Sequence, residues 1–172
     1  MIPKIIHQTW IGSHPIPEEF YLWSQKIQLL HPDWEYKLWT SENIPRIKNR
    51  KLFDRVKSNV DKSSILRYEL LNMFGGIYLD MDIEVLKRLD PLVDTNKPFV
   101  GSLNGYTNSA VIGSPPNSSF TNDLVKYVSE DHVGFIYMDR IVLKHPEITI
   151  YPHYYFYPSD EELDKAYTKH GF

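Results

Sequence analysis

Gly75-Gly76-Ile77-Tyr78-Leu79-Asp80-Met81-Asp82-Ile83-Glu84 is the stretch on which the fold turns. Ile77, Leu79, Met81 and Ile83 alternate with Tyr78, Asp80, Asp82 and Glu84. The spacing predicts a strand over 77–83 with one apolar and one polar face. The double glycine predicts a sharp break before it, because glycine accepts the positive φ that ends a helix. Asp80 and Asp82 then sit one residue apart in an apolar run. Burying acids is costly unless positive charge compensates, and a divalent cation carrying a diphosphate would do so. On an ideal strand the two acids lie about 7 Å apart, too far to share one ion readily. Either the strand breaks at Asp80 or the acids divide the work. A surface strand with two exposed acids would show the same letters.

Upstream, Asp61 or Ser63 can cap a helix whose apolar face is Ile65, Leu66, Leu70, Met73 and Phe74, with Gly75 ending it. Residues 4–10 read as a first strand. Pro17 followed by Glu18 and Glu19 starts a helix carrying Phe20, Trp23, Ile27 and Leu30. His31-Pro32-Asp33 stops it, and 34–39 alternates as a second strand. Residues 41–60 are polar and ambiguous. Downstream, 98–103 and 109–113 read as strands around an Asn104-Gly105 turn. Pro115-Pro116-Asn117 leads into a helix reaching Ser129. A short strand follows at 148–151, and Ser159 or Asp160 caps a last helix running towards His170. Strands alternating with helices indicate an α/β fold, a largely parallel sheet flanked by helices, as one domain over 1–172.

The 172 residues suffice for one core, and a formal net charge of -3 gives no electrostatic case for nucleic acid or an anionic membrane. Arg46, Lys48, Arg50 and Lys51, the one basic run, read as a solvated surface. The absence of cysteine excludes disulfides and thiolate metal sites. No signal peptide or membrane-spanning run is visible, so the expected location is cytoplasmic. Oligomeric state is left open.

Residues 2–12 (Ile-Pro-Lys-Ile-Ile-His-Gln-Thr-Trp-Ile-Gly), 63–71 (Ser-Ser-Ile-Leu-Arg-Tyr-Glu-Leu-Leu) and 75–83, in this order and spacing, resemble glycosyltransferase family 32. This is the Asp-x-Asp group that includes yeast α-mannosyltransferases and bacterial capsular-polysaccharide enzymes. More distantly, the chain is similar to the catalytic domains of clostridial glucosylating toxins. The likeness is strong to about residue 90 and fades afterwards. It implies a GT-A fold, a Rossmann-like nucleotide-sugar domain. It implies a retaining, Mn²⁺- or Mg²⁺-dependent transfer from a UDP- or GDP-sugar to a glycan or other hydroxyl acceptor.

Carried over by position, Trp10 stacks on the base, with Thr9 at the adjoining strand end. Arg67 reaches the donor sugar or diphosphate, Asp80 contacts ribose and sugar, and Asp82 ligates the metal. Tyr78 touches the donor. An indole offers a flat platform, and a guanidinium suits phosphate or paired hydroxyls. The family has an acid at the position of Ser64, where it binds hydroxyls of the transferred sugar. Serine there keeps a hydrogen bond without charge. That departure leaves an alternative open, a nucleotide-sugar-binding protein with weak or no transfer. Members commonly extend further, and 166–170 looks like the start of a His-bearing segment, which implies His170 as a further metal or phosphate contact.

His7 is expected to be a structural histidine bonded to backbone, with the donor site as the lesser alternative. Asn104 and Asn108 read as turn residues, with an acceptor or metal role the alternative. Asp139-Arg140 reads as a surface pair, Trp23, Trp34 and Trp39 as core, and 151–157 as sheet-edge packing with hydroxyls in solvent, stacking on sugar rings being the alternative. No carboxylate nucleophile stands out, so same-face attack by the acceptor is the expected route to retention.

Overall fold

Two sheets organise the computed structural model, which describes residues 1–171; Phe172, the last residue of the expected domain, lies outside the described residues. The chain runs β1 (Ile5–Trp10), α1 (Glu18–Leu30), β2 (Glu35–Thr40), α2 (Arg50–Arg55), α3 (Asn59–Phe74), β3 (Gly76–Leu79) and β4 (Ile83–Val85). It continues through α4 (Asp90–Val93), β5 (Phe99–Leu103), β6 (Tyr106–Ser114), α5 (Ser119–Tyr127), α6 (Phe135–Val142), β7 (Thr149–Tyr151) and β8 (Thr168–His170). The larger sheet has the order β2-β1-β3-β6-β5-β7. β1 is parallel to β2 and β3, and β5 to β7, while β6 is antiparallel to both β3 and β5. The sheet is therefore mixed, with a parallel trio centred on β1 and a parallel pair, β5 and β7, at the opposite edge. This is the Rossmann-like arrangement of a GT-A fold.

α3 is buried on nearly every side from Ser64 to Asn72, as expected of a helix packed on the sheet and covered by its neighbours α2 and α5. It starts earlier than expected. Ser58, not Asp61 or Ser63, caps it by accepting the Asp61 N–H at 3.3 Å, and Asp61 then sits in the first turn, where a negative charge suits the helix dipole. Gly75 ends the helix with φ 65°, and its N–H donates to the Leu71 carbonyl at 3.0 Å. Gly76 follows with φ 107°, and a Cβ there would sit 2.5 Å from the Ile5 carbonyl oxygen. Gly76→Ala is therefore expected to cost about 3 kcal/mol through backbone strain and overpacking, read by urea unfolding.

The strand expected over 77–83 is two strands in two sheets. β3 ends at Leu79; the Asp80 N–H still donates to the Ala110 carbonyl at 2.9 Å, and Ile83 N–H then folds back onto the Asp80 carbonyl at 3.2 Å. After this turn β4 pairs antiparallel with β8. Met81 and Ile83 remain buried, so the alternation in the sequence reports burial across a break. The 3-10 segment Asp160–Lys165 has the expected Ser159 cap, closed as a capping box with Glu162. It is not the helix expected to run towards His170, because the chain leaves it to form β8. α2, α4 and α6 had no sequence expectation. The Asn104-Gly105 turn joins β5 and β6, both residues at positive φ, and Asn108 Oδ1 accepts the Ala110 N–H at 2.9 Å.

Trp34 and Trp39 are buried as expected, but Trp23 is only half-buried. Its ring stacks 5.6 Å from that of Phe20, towards the site. Asp139 does not pair with Arg140; its Oδ1 accepts the Thr107 N–H and hydroxyl, both at 2.9 Å, pinning α6 to the hairpin. Arg46, Lys48, Arg50 and Lys51 are exposed. The 151–157 aromatics also depart from expectation, since Phe156 and Tyr157 are core residues.

His7 is the structural histidine. Its Nε2–H donates to the Gly75 carbonyl at 2.9 Å, and its Nδ1 accepts Trp39 Nε1–H at 3.2 Å. Burial lowers its pKa to about 4. The unfolded chain, with an ordinary imidazole, binds more protons between pH 6.5 and 4, so stability falls as pH drops through that window. The expected loss is about 3 kcal/mol by pH 4, measured by denaturant unfolding against pH, and His7→Gln should flatten that slope.

Candidate active site

A cleft of about 370 Å³ opens where the carboxyl ends of β1 and β3 meet the first turns of α3, the end of an α/β sheet where ligands bind. Thr9, Trp10, Ser63, Arg67, Tyr78, Asp80 and Asp82 all line it. Residues far apart in sequence converge because β1 and β3 are hydrogen-bonded neighbours, with His7 opposite Tyr78.

Asp80 joins several of these groups. Its Oδ1 accepts the Tyr78 hydroxyl at 2.8 Å and pairs with Arg67 Nη2 at 3.1 Å. Its carbonyl accepts Gln8 Nε2–H at 3.2 Å, and Gln8 Oε1 in turn accepts the Tyr36 hydroxyl at 2.7 Å. Thr9 Oγ1 lies 2.5 Å from Ser63 Oγ and 3.1 Å from the Tyr78 oxygen, which continues the hydroxyl chain. Burial pushes the Asp80 carboxyl above the usual carboxylate range, against the pull of Arg67 and Tyr78. Burial likewise raises the Tyr78 phenol.

Arg67 is almost wholly enclosed. Burial works against its charge, but Asp80 and the surrounding tyrosines outweigh it and the pKa is raised. Nη1 donates to the Ser109 carbonyl at 2.7 Å, and the guanidinium carbon lies 4.3 Å from the Tyr78 ring centre. A cation stacked on an aromatic face and held at both ends is fixed in one orientation.

Asp82 lies past the turn and is bonded differently. Its Oδ2 is 3.0 Å from His170 Nε2, a pairing set by β4 and β8, which place Ile83 opposite His170. The Asp82 hydrogen bond raises the His170 pKa. Asp82 Oδ1 is buried and has no hydrogen-bond partner among the described residues. Leaving such an acceptor unmet costs about 1–3 kcal/mol, more for a charged group. An orphaned carboxylate oxygen with an imidazole alongside fits a hard divalent cation. Among the described residues no group of three or more His, Cys, Asp or Glu gathers as a metal cage, so such an ion would complete its shell from substrate.

Trp10 is half-buried at the cleft, with Nε1–H donating to the His14 carbonyl at 2.7 Å. Ser64 is buried and not among the cleft-lining residues; its neighbour Ser63 takes that place, 3.4 Å from Arg67 Nη2. Sequence reasoning missed Ser63, although positions four apart on a helix share a face. It also missed Gln8, for which the strand letters carry no signal, and it reached Tyr157 only as one of the 151–157 aromatics, with no link to the acids.

The glycosyltransferase sugar-binding region containing the DXD motif matches residues 17–99. Inositol phosphoceramide mannosyltransferase 3 of Schizosaccharomyces pombe is 39% identical over 98 residues, 54% of this chain and 27% of the relative. Mannosyl phosphorylinositol ceramide synthase CSH1 of Saccharomyces cerevisiae is 33% identical over 132 residues, 73% of this chain and 35% of the relative. The matches thus span only about a quarter to a third of these relatives' own length. Among solved structures, PaToxG glycosyltransferase superposes with a TM-score of 0.69 at 16% identity, over 84% of this chain and 70% of that one, a likeness of fold. The chain thus carries a sugar-binding region with a DXD motif, Asp80-Met81-Asp82, over residues 17–99 on a GT-A fold, and it is similar in sequence to the yeast mannosyltransferases.

Proposed function

We propose that the chain transfers a hexose from a UDP- or GDP-sugar to a hydroxyl acceptor such as a glycan, with retention of configuration, and with Mn²⁺ or Mg²⁺ held by Asp82 beside Asp80 and His170. The observation that carries this reading is the Asp82 carboxylate in the cleft, one oxygen without a partner, one turn from the Asp80–Arg67 pair. The mannosyl-transferring relatives make a mannosyl donor the first to try.

When bound, the cation supplies Lewis-acid stabilisation of the charge that develops on the leaving diphosphate. The rest is work for the chain's own side chains. Trp10 offers the base a flat apolar face, with Thr9 beside it. Asp80, held by Tyr78 and Arg67, keeps one carboxylate oxygen for ribose or sugar hydroxyls. Arg67, locked by Asp80 and Ser109, turns the N–H groups that Ser63 holds only loosely, at 3.4 and 3.5 Å, to the sugar or a phosphate oxygen and spends no side-chain entropy on binding. In same-face transfer the acceptor oxygen forms the new glycosidic bond as the old one to the phosphate oxygen breaks. The acceptor proton passes to that departing oxygen, so no enzyme nucleophile is consumed. Serine at position 64 is compatible with this route but favours a second reading, in which the donor is bound and turned over slowly or not at all.

A panel of UDP- and GDP-sugars with Mn²⁺, followed by thermal shift and by released nucleotide, tests both. The proposal expects a cation-dependent shift with one class of donor, and release when a hydroxyl acceptor is added. A shift without release under varied acceptors supports the binding reading. No shift with any donor contradicts both.

A further inference from the structure

Two side-chain polar atoms in the described part of the molecule are buried without a hydrogen-bond partner, and one is an acceptor while the other carries a proton to donate. They are Asp82 Oδ1 and the Tyr157 hydroxyl. Neither is a surface group whose partner is bulk water, and each unmet group carries a desolvation cost. They belong to one neighbourhood. The His170 ring bridges them, with Nε2 3.0 Å from Asp82 Oδ2 and its centroid 6.4 Å from that of Tyr157. Asp80, Asp82 and Arg67 are the charged groups that Tyr157 feels, and the Val111 main-chain amide near its oxygen leaves the hydroxyl proton without an acceptor.

The approach of Tyr157 to this place is built into the sheet. The register of β5 against β6 slips between Val100 and Gly101, leaving room beside Gly101. A Cβ at Gly101 would lie 2.6 Å from the Phe156 ring and 2.9 Å from the Tyr157 ring. Only a glycine at the irregularity lets these two rings pack so close to the strand. Phe156 is held in turn by its main chain, whose carbonyl accepts the Thr168 hydroxyl at 3.0 Å. The ring of Tyr157 is thus fixed while its hydroxyl is left unmet.

Asp80 Oδ1 already receives Tyr78 and Arg67, and its other oxygen is the one assigned above to ribose or sugar hydroxyls, which leaves Asp82 Oδ1 as the unmet acceptor. We propose that Tyr157 is a positioning residue for the cation site: its hydroxyl donates to Asp82 Oδ1 in the loaded state and fixes the rotation of that carboxylate. In the ligand-free chain His170 holds the other oxygen and leaves both groups waiting. Partners that orient a ligating carboxylate in this way commonly set metal affinity by 10–100-fold. The inference rests on the cation reading proposed above.

The test is Tyr157→Phe, compared with the wild-type chain by manganese EPR titration in the presence of UDP or GDP, and by thermal unfolding without either. The expected result is manganese binding about tenfold weaker, with a melting temperature of the ligand-free variant equal to or above wild type. Equal manganese affinity in the two proteins overturns the role of Tyr157 and leaves the cation site standing. A drop of several degrees in the ligand-free melting temperature also overturns it, since the hydroxyl would then have a partner already. If the wild type itself binds no manganese, the cation reading and this one fall together. A structural role alone moves stability and leaves manganese affinity unchanged.

Discussion

Asp82→Ala is expected to abolish the cation-dependent response to nucleoside diphosphate and to lower donor turnover by about a thousandfold, the scale on which loss of one preorganised electrostatic group is felt. Fold stability should hardly change. Among the described residues the side-chain partner of Asp82 is His170, and a partly exposed ion pair contributes at most about 1 kcal/mol. The variant should even shed the cost of the unpaired Oδ1. A second readout is independent of activity. The Asp82 hydrogen bond is the largest influence raising the His170 pKa, so the His170 titration, followed by NMR, should move down in the variant. Thermal unfolding with Mn²⁺ and UDP or GDP separates the outcomes. An unchanged ligand response removes Asp82 from the site, and a collapsed ligand-free fold shows a structural role instead.

Arg67→Ala is expected to have the largest effect on stability, about 3–5 kcal/mol. The change strips Asp80 of its ion-pair partner, leaves the Ser109 carbonyl without its guanidinium donor and opens a void over the Tyr78 ring. Its pH dependence has a definite sign. Burial already raises the Asp80 carboxyl above its unfolded value, and Arg67 is the main opposing influence. Without Arg67 the folded pKa rises further. A folded-state pKa above the unfolded one gives a contribution present at low pH and lost as pH rises through the folded value. The deficit of the variant should therefore shrink on going from pH 7 towards pH 4. Chemical denaturation at several pH values measures it, and a deficit independent of pH would show that Asp80 and Arg67 are not coupled as described.

The hydrophobic pattern made much of this architecture legible. β1, α1, β2, the β5–β6 hairpin and β7 follow from periodicity and turn chemistry, because each buries one face or closes with residues suited to positive φ. The break after Leu79 was harder to read. Met81 and Ile83 stay buried on both sides of it, so alternation persisted while the backbone changed sheets. α6 escaped because its buried residues, Tyr137, Met138, Ile141 and Val142, lie in a short stretch whose first turn exposes Phe135 and Ile136. The tail misled in another way. Its Ser159 cap is genuine, yet β8 forms because β4 offers an edge to pair with, a long-range fact that no local propensity encodes.

The site divides along the same line. Thr9, Trp10, Arg67, Tyr78, Asp80 and Asp82 were expected together and do line one cleft. Ser63 rather than Ser64 faces it, a choice made by the rotation of α3 about its axis and not by composition. Tyr157 reaches the acids only through the β5–β6 irregularity and the close approach at Gly101, both products of tertiary packing.

Anomalous diffraction from crystals of the chain soaked with Mn²⁺ and UDP or GDP tests the central claim most directly. The account predicts a manganese peak against the Asp82 carboxylate, with the diphosphate in the cleft between Trp10 and Arg67. A nucleotide bound elsewhere, or a cleft with Asp82 still paired to His170 and no manganese beside it, would contradict it.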